Sequence, residues 1–464
     1  MPTGTNPMCA AACATRPFRA LSDFSDLFFF AKLAMTQKIR RVAILGGNRI
    51  PFARSNTVYA TATNQEMFTA TLQGLVDRFN LHGERLGDVV GGAVMKHARD
   101  FNLVRECVLS TTLAHETPAF DLQQACGTGL EAAMVVANKI ALGHIECGIA
   151  GGVDTTSDAP IAVNEKMRKI LLEVSRAKTA TQRLGALSKL RPAMLVQPAL
   201  PRNGEPRTGL SMGEHAELMA QEWGIRREDQ DALALKSHIQ LAKAYQSDFF
   251  NDLITPFKGV MKDNNLRTDL TIEKLRSLTP VFDKKVAPEK GTLTAGNSTP
   301  LTDGASAVLL ASEAWAKAHK LPVLAYLSFS EVAAVDFFDK KEGLLMAPAY
   351  AVPRMLARAG LTLQDFDYYE IHEAFAAQVL CTLKAWEDKK FCTEKLGLDK
   401  PLGKIDRKKL NIHGSSLAAG HPFAATGGRI VALLAKMLAQ KGAGRGLISI
   451  CAAGGQGVVA IVER

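Results

Sequence analysis

Apolar residues recur along this chain at two spacings, which predict alternating strands and helices. Arg41-Val-Ala-Ile-Leu45 is a short apolar run closed by Gly46-Gly47 and reads as a buried strand. Between Gln65 and Asn80, residues Met67, Phe68, Leu72, Leu75, Val76 and Phe79 fall on one helical stripe. Asp88-Val-Val ahead of Gly91-Gly92 reads as a second strand. A helix over 132–142 follows, then a strand over Cys147-Gly-Ile-Ala150 that ends in Gly151-Gly152. Strands alternating with helices predict a largely parallel sheet covered on both faces.

The C-terminal third repeats this order. The segment 80–90 lines up with 360–370, and the segment from Cys126 to Gly151-Gly152 lines up with that from His421 to Gly454-Gly455. Such duplication predicts two similar α/β halves packed face to face, with helix starts from both converging on one cleft. The expected units are a flexible extension over 1–36, a first half over 37–158 and 289–315, an insertion over 159–288, and a second half over 316–464.

Length and composition agree with this plan. The chain has 464 residues, 47% hydrophobic and 22% charged, with 37 glycines, as in a compact α/β protein of two or three units. Its eight cysteines are scattered, with no CxxC pair and no His/Cys cluster at zinc spacing. Neither a disulfide framework nor a metal site is indicated, and a reducing compartment is expected. The net charge of +10 raises the question of nucleic acid. No basic run is interleaved with aromatics, so a phosphate-rich small ligand accounts for the surplus instead. No segment reaches the roughly 18 to 20 apolar residues that span a bilayer. Before Met35, Arg16 and Arg19 suggest a transit peptide but Asp23 and Asp26 oppose one, so a loosely attached extension is expected. The cytoplasm follows, or the mitochondrial matrix if the extension is a transit peptide. From Lys166 to Arg207, ten bases face Glu173 and Glu205. The stretch reads as a solvated helix face, a lid over an anionic ligand, or a docking surface for a membrane or partner.

Candidate chemistry begins at Asp121-Leu-Gln-Gln-Ala-Cys126-Gly-Thr-Gly-Leu-Glu131. A cysteine just ahead of a helix meets unpaired N–H groups and the positive end of the helix dipole, which favour thiolate. A lone cysteine in such a turn is more often a packing residue. Three distant stretches change that balance: Tyr368-Tyr-Glu-Ile-His372-Glu-Ala-Phe375, Asn411 through Gly420-His421-Pro to Gly428, and Ile450-Cys451-Ala-Ala-Gly-Gly-Gln-Gly457.

With these stretches in this order, the chain from about Arg40 to Arg464 resembles the thiolase family of acyl-CoA C-acyltransferases. The resemblance implies the thiolase fold: two similar halves forming a five-layered αβαβα core with an inserted loop domain. It implies Cys126 as acyl-accepting nucleophile, His421 as its base and Cys451 as the second acid/base. His372 stands where many thiolases carry Asn, as in the degradative 3-ketoacyl-CoA thiolases of β-oxidation complexes. Backbone N–H groups of Cys126 and Ala453 would form an oxyanion hole. Thr299, Met212, Arg207 and Asn297 would contact substrate or coenzyme A. Ser415 and Ala424 replace common glycines, and Thr299-Pro300 stands where Ser-Gly is usual. Coenzyme A and acyl-CoA would be substrates, with no bound cofactor and no metal. A homodimer or homotetramer is implied, with a hydratase/dehydrogenase subunit or a membrane as a further partner through Lys166 to Arg207. A biosynthetic acetoacetyl-CoA thiolase and an assembly subunit remain alternative readings.

Overall fold

Two sub-sheets meet edge to edge at a short junction. The computed structural model describes residues 39–195, 198–201 and 204–464; the expected extension over 1–36 lies outside the described residues. Residues Arg40–Arg464 form one compact unit. The strands are β1 (Val42–Arg49), β2 (Ala53–Arg54), β3 (Asp88–Gly91), β4 (Ala119–Asp121), β5 (Cys147–Asp154), β6 (Thr302–Ser312), β7 (Ala325–Ala334), β8 (Tyr368–Ile371), β9 (Arg445–Ala452) and β10 (Gln456–Glu463). They run in the order β4-β3-β5-β6-β1-β7-β10-β9-β8, with β2 paired to β6. The junction between β1 and β7 is two residue pairs, Ala43 with Tyr326 and Ile44 with Ala325.

The main helices are α1 (Asn64–Phe79), α2 (Leu103–Leu109), α3 (Thr128–Ala141), α4 (Glu165–Arg176), α5 (Ala180–Leu187), α6 (Met212–Glu222), α7 (Arg227–Gln246), α8 (Ala347–Ala359), α9 (Ala376–Glu387), α10 (Ser416–Ala419) and α11 (Ala425–Lys441). The succession β1-α1-β3-α2-α3-β5-β6 recurs as β7-α8-β8-α9-α11-β9-β10. The expected duplication is therefore a repeat of topology.

Helices α3 and α11 lie between the two sub-sheets: α3 packs on β3, β5, β6 and β10, and α11 on β1, β5, β6, β9 and β10. Outside them, α1 and α2 cover the first sub-sheet, and α8, with α9 beside it, covers the second. This is the five-layered αβαβα arrangement. Strand residues alternate between layers. Val42 and Ile44 point into the central core with Leu130, Ile430 and Val458, while Ala43 and Leu45 join Met67, Phe68 and Leu72 on the outer side. Burial on both faces makes such strands continuous apolar runs.

Two expectations change. The sheet is mixed: among the described strands, parallel pairing is confined to β3–β4, β3–β5 and β8–β9. Each half ends in an antiparallel pair, because β9 turns straight into β10 through Ala453-Gly454-Gly455 and β6 returns beside β5. Second, two of the glycine pairs read as strand ends, Gly46-Gly47 and Gly151-Gly152, lie inside β1 and β5, whereas Gly91-Gly92 does close β3. A Cβ on Gly151 would sit 2.3 Å from the Ser306 carbonyl oxygen, and one on Gly152 would sit 2.3 Å from that of Ala424. These glycines permit close packing of backbone on backbone.

Between β5 and β6 the chain runs from 155 to 301 and contributes α4 to α7. The expected insertion over 159–288 falls inside this span. Helix α7 packs against α9 and α10 and supports the second half. A bidentate pair between Arg49 and Asp263, at 2.6 and 2.8 Å and almost fully buried, ties this segment to β1.

Candidate active site

Cys126 sits on a strained turn. After β4, Ala125 takes a left-handed conformation at φ 46°, which costs a non-glycine residue about 1 kcal/mol or more. The Thr128 hydroxyl holds the turn, donating to the Ala125 carbonyl at 2.7 Å and accepting from the Gln124 N–H at 2.9 Å. Helix α3 begins at Thr128, so Cys126 stands two residues before it. The residue is half-buried. The dominant influence on it is desolvation, which raises its pKa to about 12. The Ala453 N–H and the N–H of Cys126 itself act to lower it, and Asp154 adds to the rise. The bias toward thiolate expected from the helix start is therefore outweighed. A helix terminus is worth about 0.3–1 kcal/mol, and desolvation of the anion outweighs it here. The thiol needs a base.

His421, the residue expected to act as that base, is brought in by helix crossing. A Cβ on Gly129 would lie 2.5 Å from the Ala424 carbonyl oxygen, and one on Gly427 would lie 2.1 Å from the Leu130 nitrogen. The starts of α3 and α11 touch through bare backbone, which carries the His421 loop to the helix that follows Cys126. Asp154, at the end of β5, reinforces the contact by accepting from the N–H groups of Val94, Met95 and Ala424 at 2.7–2.9 Å. The His421 N–H donates to Thr302 Oγ1 at 2.8 Å, and its Nδ1 lies 2.5 Å from Thr426 Oγ1. Its Nε2 has no protein partner. Burial, with Arg429 adding to it, lowers the His421 pKa to about 3, so the ring is a neutral imidazole.

His372 follows β8 directly and is fully buried. Its N–H donates to the Ser449 carbonyl at 2.8 Å, and its Nδ1 lies 2.8 Å from Ser416 Oγ. The His372 and His421 rings touch, with centroids 4.0 Å apart, and Nε2 of His372 is also unpartnered. Burial, then His421 and Arg429, hold its pKa well below the usual histidine range. Cys451, buried in β9, pairs with Gly457 across the β9–β10 turn. Burial lifts its thiol well above the usual range, and Cys126 adds to the rise. Gln124 Nε2 donates to Gln456 Oε1 at 3.1 Å, linking the Cys126 turn to this turn.

Beneath the histidines lies a buried polar network that the motifs did not single out. Glu373 accepts from Ser237 and Asn411, both at 2.7 Å, and from the Leu417 N–H at 3.3 Å. Asn411 bonds both the N–H and the carbonyl of Ile371, taking the place of a further strand at the end of β8. Arg429 donates to Ser416 Oγ at 3.1 Å and to Ser415 Oγ at 3.3 Å. Glu370 is fully buried with neither carboxyl oxygen bonded. Burial raises its pKa to about 8, against the lowering effect of Arg429. A signal existed in the sequence: charged residues inside otherwise apolar strand and helix stretches.

The remaining expected residues are spread. Thr299 Oγ1 donates to the Ala374 carbonyl at 2.9 Å, beside the His372 loop. Asn297 is fully buried and bonded within the scaffold: its amide donates to Asp231 and Thr292, and its side-chain oxygen accepts from the Thr294 N–H. Met212 opens α6 and packs on the outer core of the second half. Arg207 is exposed, 6.0 Å above the Phe338 ring. Glu205, read as part of a charge run, is buried and accepts from the Gly454 N–H at 2.7 Å, so the insertion braces the turn after Cys451.

Comparison with known proteins gives this arrangement a family. Residues 42–314 match the model of the thiolase N-terminal domain, and residues 321–464 that of the thiolase C-terminal domain. The chain is 40% identical over 435 residues to the 3-ketoacyl-CoA thiolase of Yersinia pestis (strain Pestoides F), covering 92% of this chain and 98% of the relative. Among solved structures, the Bacillus anthracis acetyl-CoA acetyltransferase superposes with TM-score 0.76 at 29% identity, over 92% of this chain and all of that one. Human mitochondrial 3-ketoacyl-CoA thiolase does so with TM-score 0.75 at 27% identity, over 92% and 99% of the two chains. With both domains matched in order around two crossed helix starts, this chain belongs to the thiolase family of acyltransferases.

Proposed function

We propose that this acyltransferase is a degradative 3-ketoacyl-CoA thiolase working through a Cys126 acyl-enzyme. The supporting observation is the pair of touching neutral imidazoles, His372 and His421, each with a free Nε2, together with two thiols that influence one another, half-buried Cys126 and buried Cys451. His421 Nε2 takes the Cys126 proton as Sγ attacks the 3-keto carbon. The N–H groups of Cys126 and Ala453 hold the tetrahedral oxyanion. Its collapse breaks the C2–C3 bond, and the electron pair leaves as the acetyl-CoA enolate, stabilised by His372 and His421. Cys451 protonates that carbanion, releasing acetyl-CoA. The Cys451 thiolate then takes the coenzyme A proton, and coenzyme A attacks the acyl-enzyme. Cys126 leaves as thiolate and recovers its proton from His421. Arg207 and Met212 line the approach of coenzyme A, consistent with the cationic surplus, and the chain acts as a homo-oligomer.

Cys126→Ser is expected to abolish the acyl adduct seen by mass spectrometry; an undiminished adduct overturns the nucleophile. Cys451→Ser is expected to acylate normally but to exchange the acetyl-CoA methyl protons with solvent slowly. Thiolysis kinetics over 3-ketoacyl-CoAs of increasing length separate this reading from a biosynthetic enzyme, which would turn over acetoacetyl-CoA alone. Docking of the stretch from Lys166 to Arg207 onto a hydratase/dehydrogenase subunit or membrane is favoured by exposed Leu171, Leu184 and Leu187 among the bases. Copurification with and without that stretch tests it.

A further inference from the structure

We propose that Arg429 acts through Ser416 as a positioning residue that sets the tautomer of His372, making its Nε2–H a permanent hydrogen-bond donor to the enolate oxygen. The inference rests on the thiolase reading above and assigns the chemistry of one half-site within it.

The argument starts at Ser416. Its Oγ lies 3.1 Å from Arg429 Nη2 and 2.8 Å from His372 Nδ1. A guanidinium has donors only, so the serine oxygen accepts from Arg429. An oxygen already bonded to a cationic donor is a weaker acceptor for a second N–H, and its own O–H is a stronger donor. The hydroxyl proton therefore goes to His372 Nδ1, which must be the lone-pair nitrogen. His372 is neutral, held so by burial, so its one ring proton sits on Nε2. That Nε2 has no partner in the protein and is free to donate.

His421 has the opposite wiring. Its Nδ1 faces Thr426 Oγ1 at 2.5 Å, and no cation is bonded to that hydroxyl among the described residues. The threonine oxygen is free to accept Nδ1–H, leaving the Nε2 lone pair to take the Cys126 proton. Two touching imidazoles thus have opposite tautomers, one a donor and one a base, because a guanidinium stands behind only one of them. Arg429 is itself fixed, almost fully buried near the start of α11, with the Glu370 and Glu373 carboxyl groups facing it.

Two half-reactions separate this role from a structural one. Carbon–carbon cleavage and acetyl-CoA methyl-proton exchange pass through the enolate, whereas acyl exchange between Cys126 and coenzyme A does not. Ser416→Ala and Arg429→Gln are expected to slow the first pair by roughly ten- to a hundredfold in kcat. KM for the 3-ketoacyl-CoA should change by less than about threefold, as for an interaction made in the transition state. Acyl exchange should fall far less, and Arg429→Lys, which keeps a cationic donor, should recover part of the loss. In the wild-type protein, ¹⁵N-histidine spectra should show His372 Nε2 as the protonated nitrogen and Nδ1 as the unprotonated one. A protonated Nδ1, or equal losses in both half-reactions in folded Ser416→Ala, overturns the inference. If Arg429→Gln does not fold, Ser416→Ala carries the test. Absence of any wild-type acyl adduct would instead sink the thiolase reading, so the two failures are distinguishable.

Discussion

At the scale of single residues, the resting state of Cys126 is decided by a contest between two effects of its position. A helix start and two N–H groups favour the anion, while burial and Asp154 oppose it, and burial wins. Cys126 and His421 therefore rest as thiol and imidazole, and in the proposed mechanism the proton moves when substrate is attacked. Alkylation of Cys126 by iodoacetamide should accelerate steadily with pH beyond about 9, following the rising thiolate fraction. A plateau already reached near pH 7 would show a stabilised thiolate and refute this balance. The same contest explains why both histidines are useful: burial keeps them neutral, so one can accept a proton and the other donate a hydrogen bond.

At the scale of elements, the site depends on how closely α3 and α11 cross. Gly427 has backbone of Gly129 and Leu130 where its side chain would be. Gly427→Ala must push the two helix starts apart, at an overpacking cost of about 1–3 kcal/mol. Because the same displacement moves His421 from Cys126, kcat should fall by tenfold or more. Gly185, inside α5, has open space around its missing Cβ. Gly185→Ala should leave kcat unchanged and stabilise by up to about 1 kcal/mol, as ordinary helix propensity dictates. Denaturant midpoints and kinetics on the two variants check both statements. Equal behaviour would mean that the crossing is not what positions the base.

At the scale of the whole molecule, buried ionisable groups make stability depend on pH from both sides. Glu370 has its folded pKa raised from 4.5 to about 8. Its contribution is complete below about 4.5 and is lost as pH rises through 8, because the unfolded chain releases a proton that the fold retains. His413, stacked on Phe249 and lowered from 6.5 to about 4, has the opposite sign. Its contribution is complete above about 6.5 and is lost as pH falls toward 4. Relative to wild type, Glu370→Gln should therefore gain stability progressively between about pH 4.5 and 8, because the amide does not titrate and wild type loses its contribution there. Thermal midpoints of both proteins over that range give the answer, and a constant difference would place Glu370 in water as an ordinary carboxylate.

Local sequence was sufficient for most of the elements and for naming the candidate reacting groups. The stripe from Met67 to Phe79 needs only helical geometry, and Cys126, His372, His421 and Cys451 each stand at or beside a turn in a motif a few residues long. Duplication even announced that two helix starts would meet. What the chain could not show locally is which glycines end strands and which admit a neighbour. Gly151 and Gly152 look like a turn until Ser306 and Ala424 are packed against them. Nor could it show that Glu205 leaves its charge run to hold Gly454, that Asp154 reaches Ala424, or that Arg429 stands behind His372. Periodicity and turn chemistry act over one or two turns of chain and are written in adjacent residues. Burial, and the pKa values it sets, arise when segments hundreds of residues apart close on one another, and only the tertiary structure decides those.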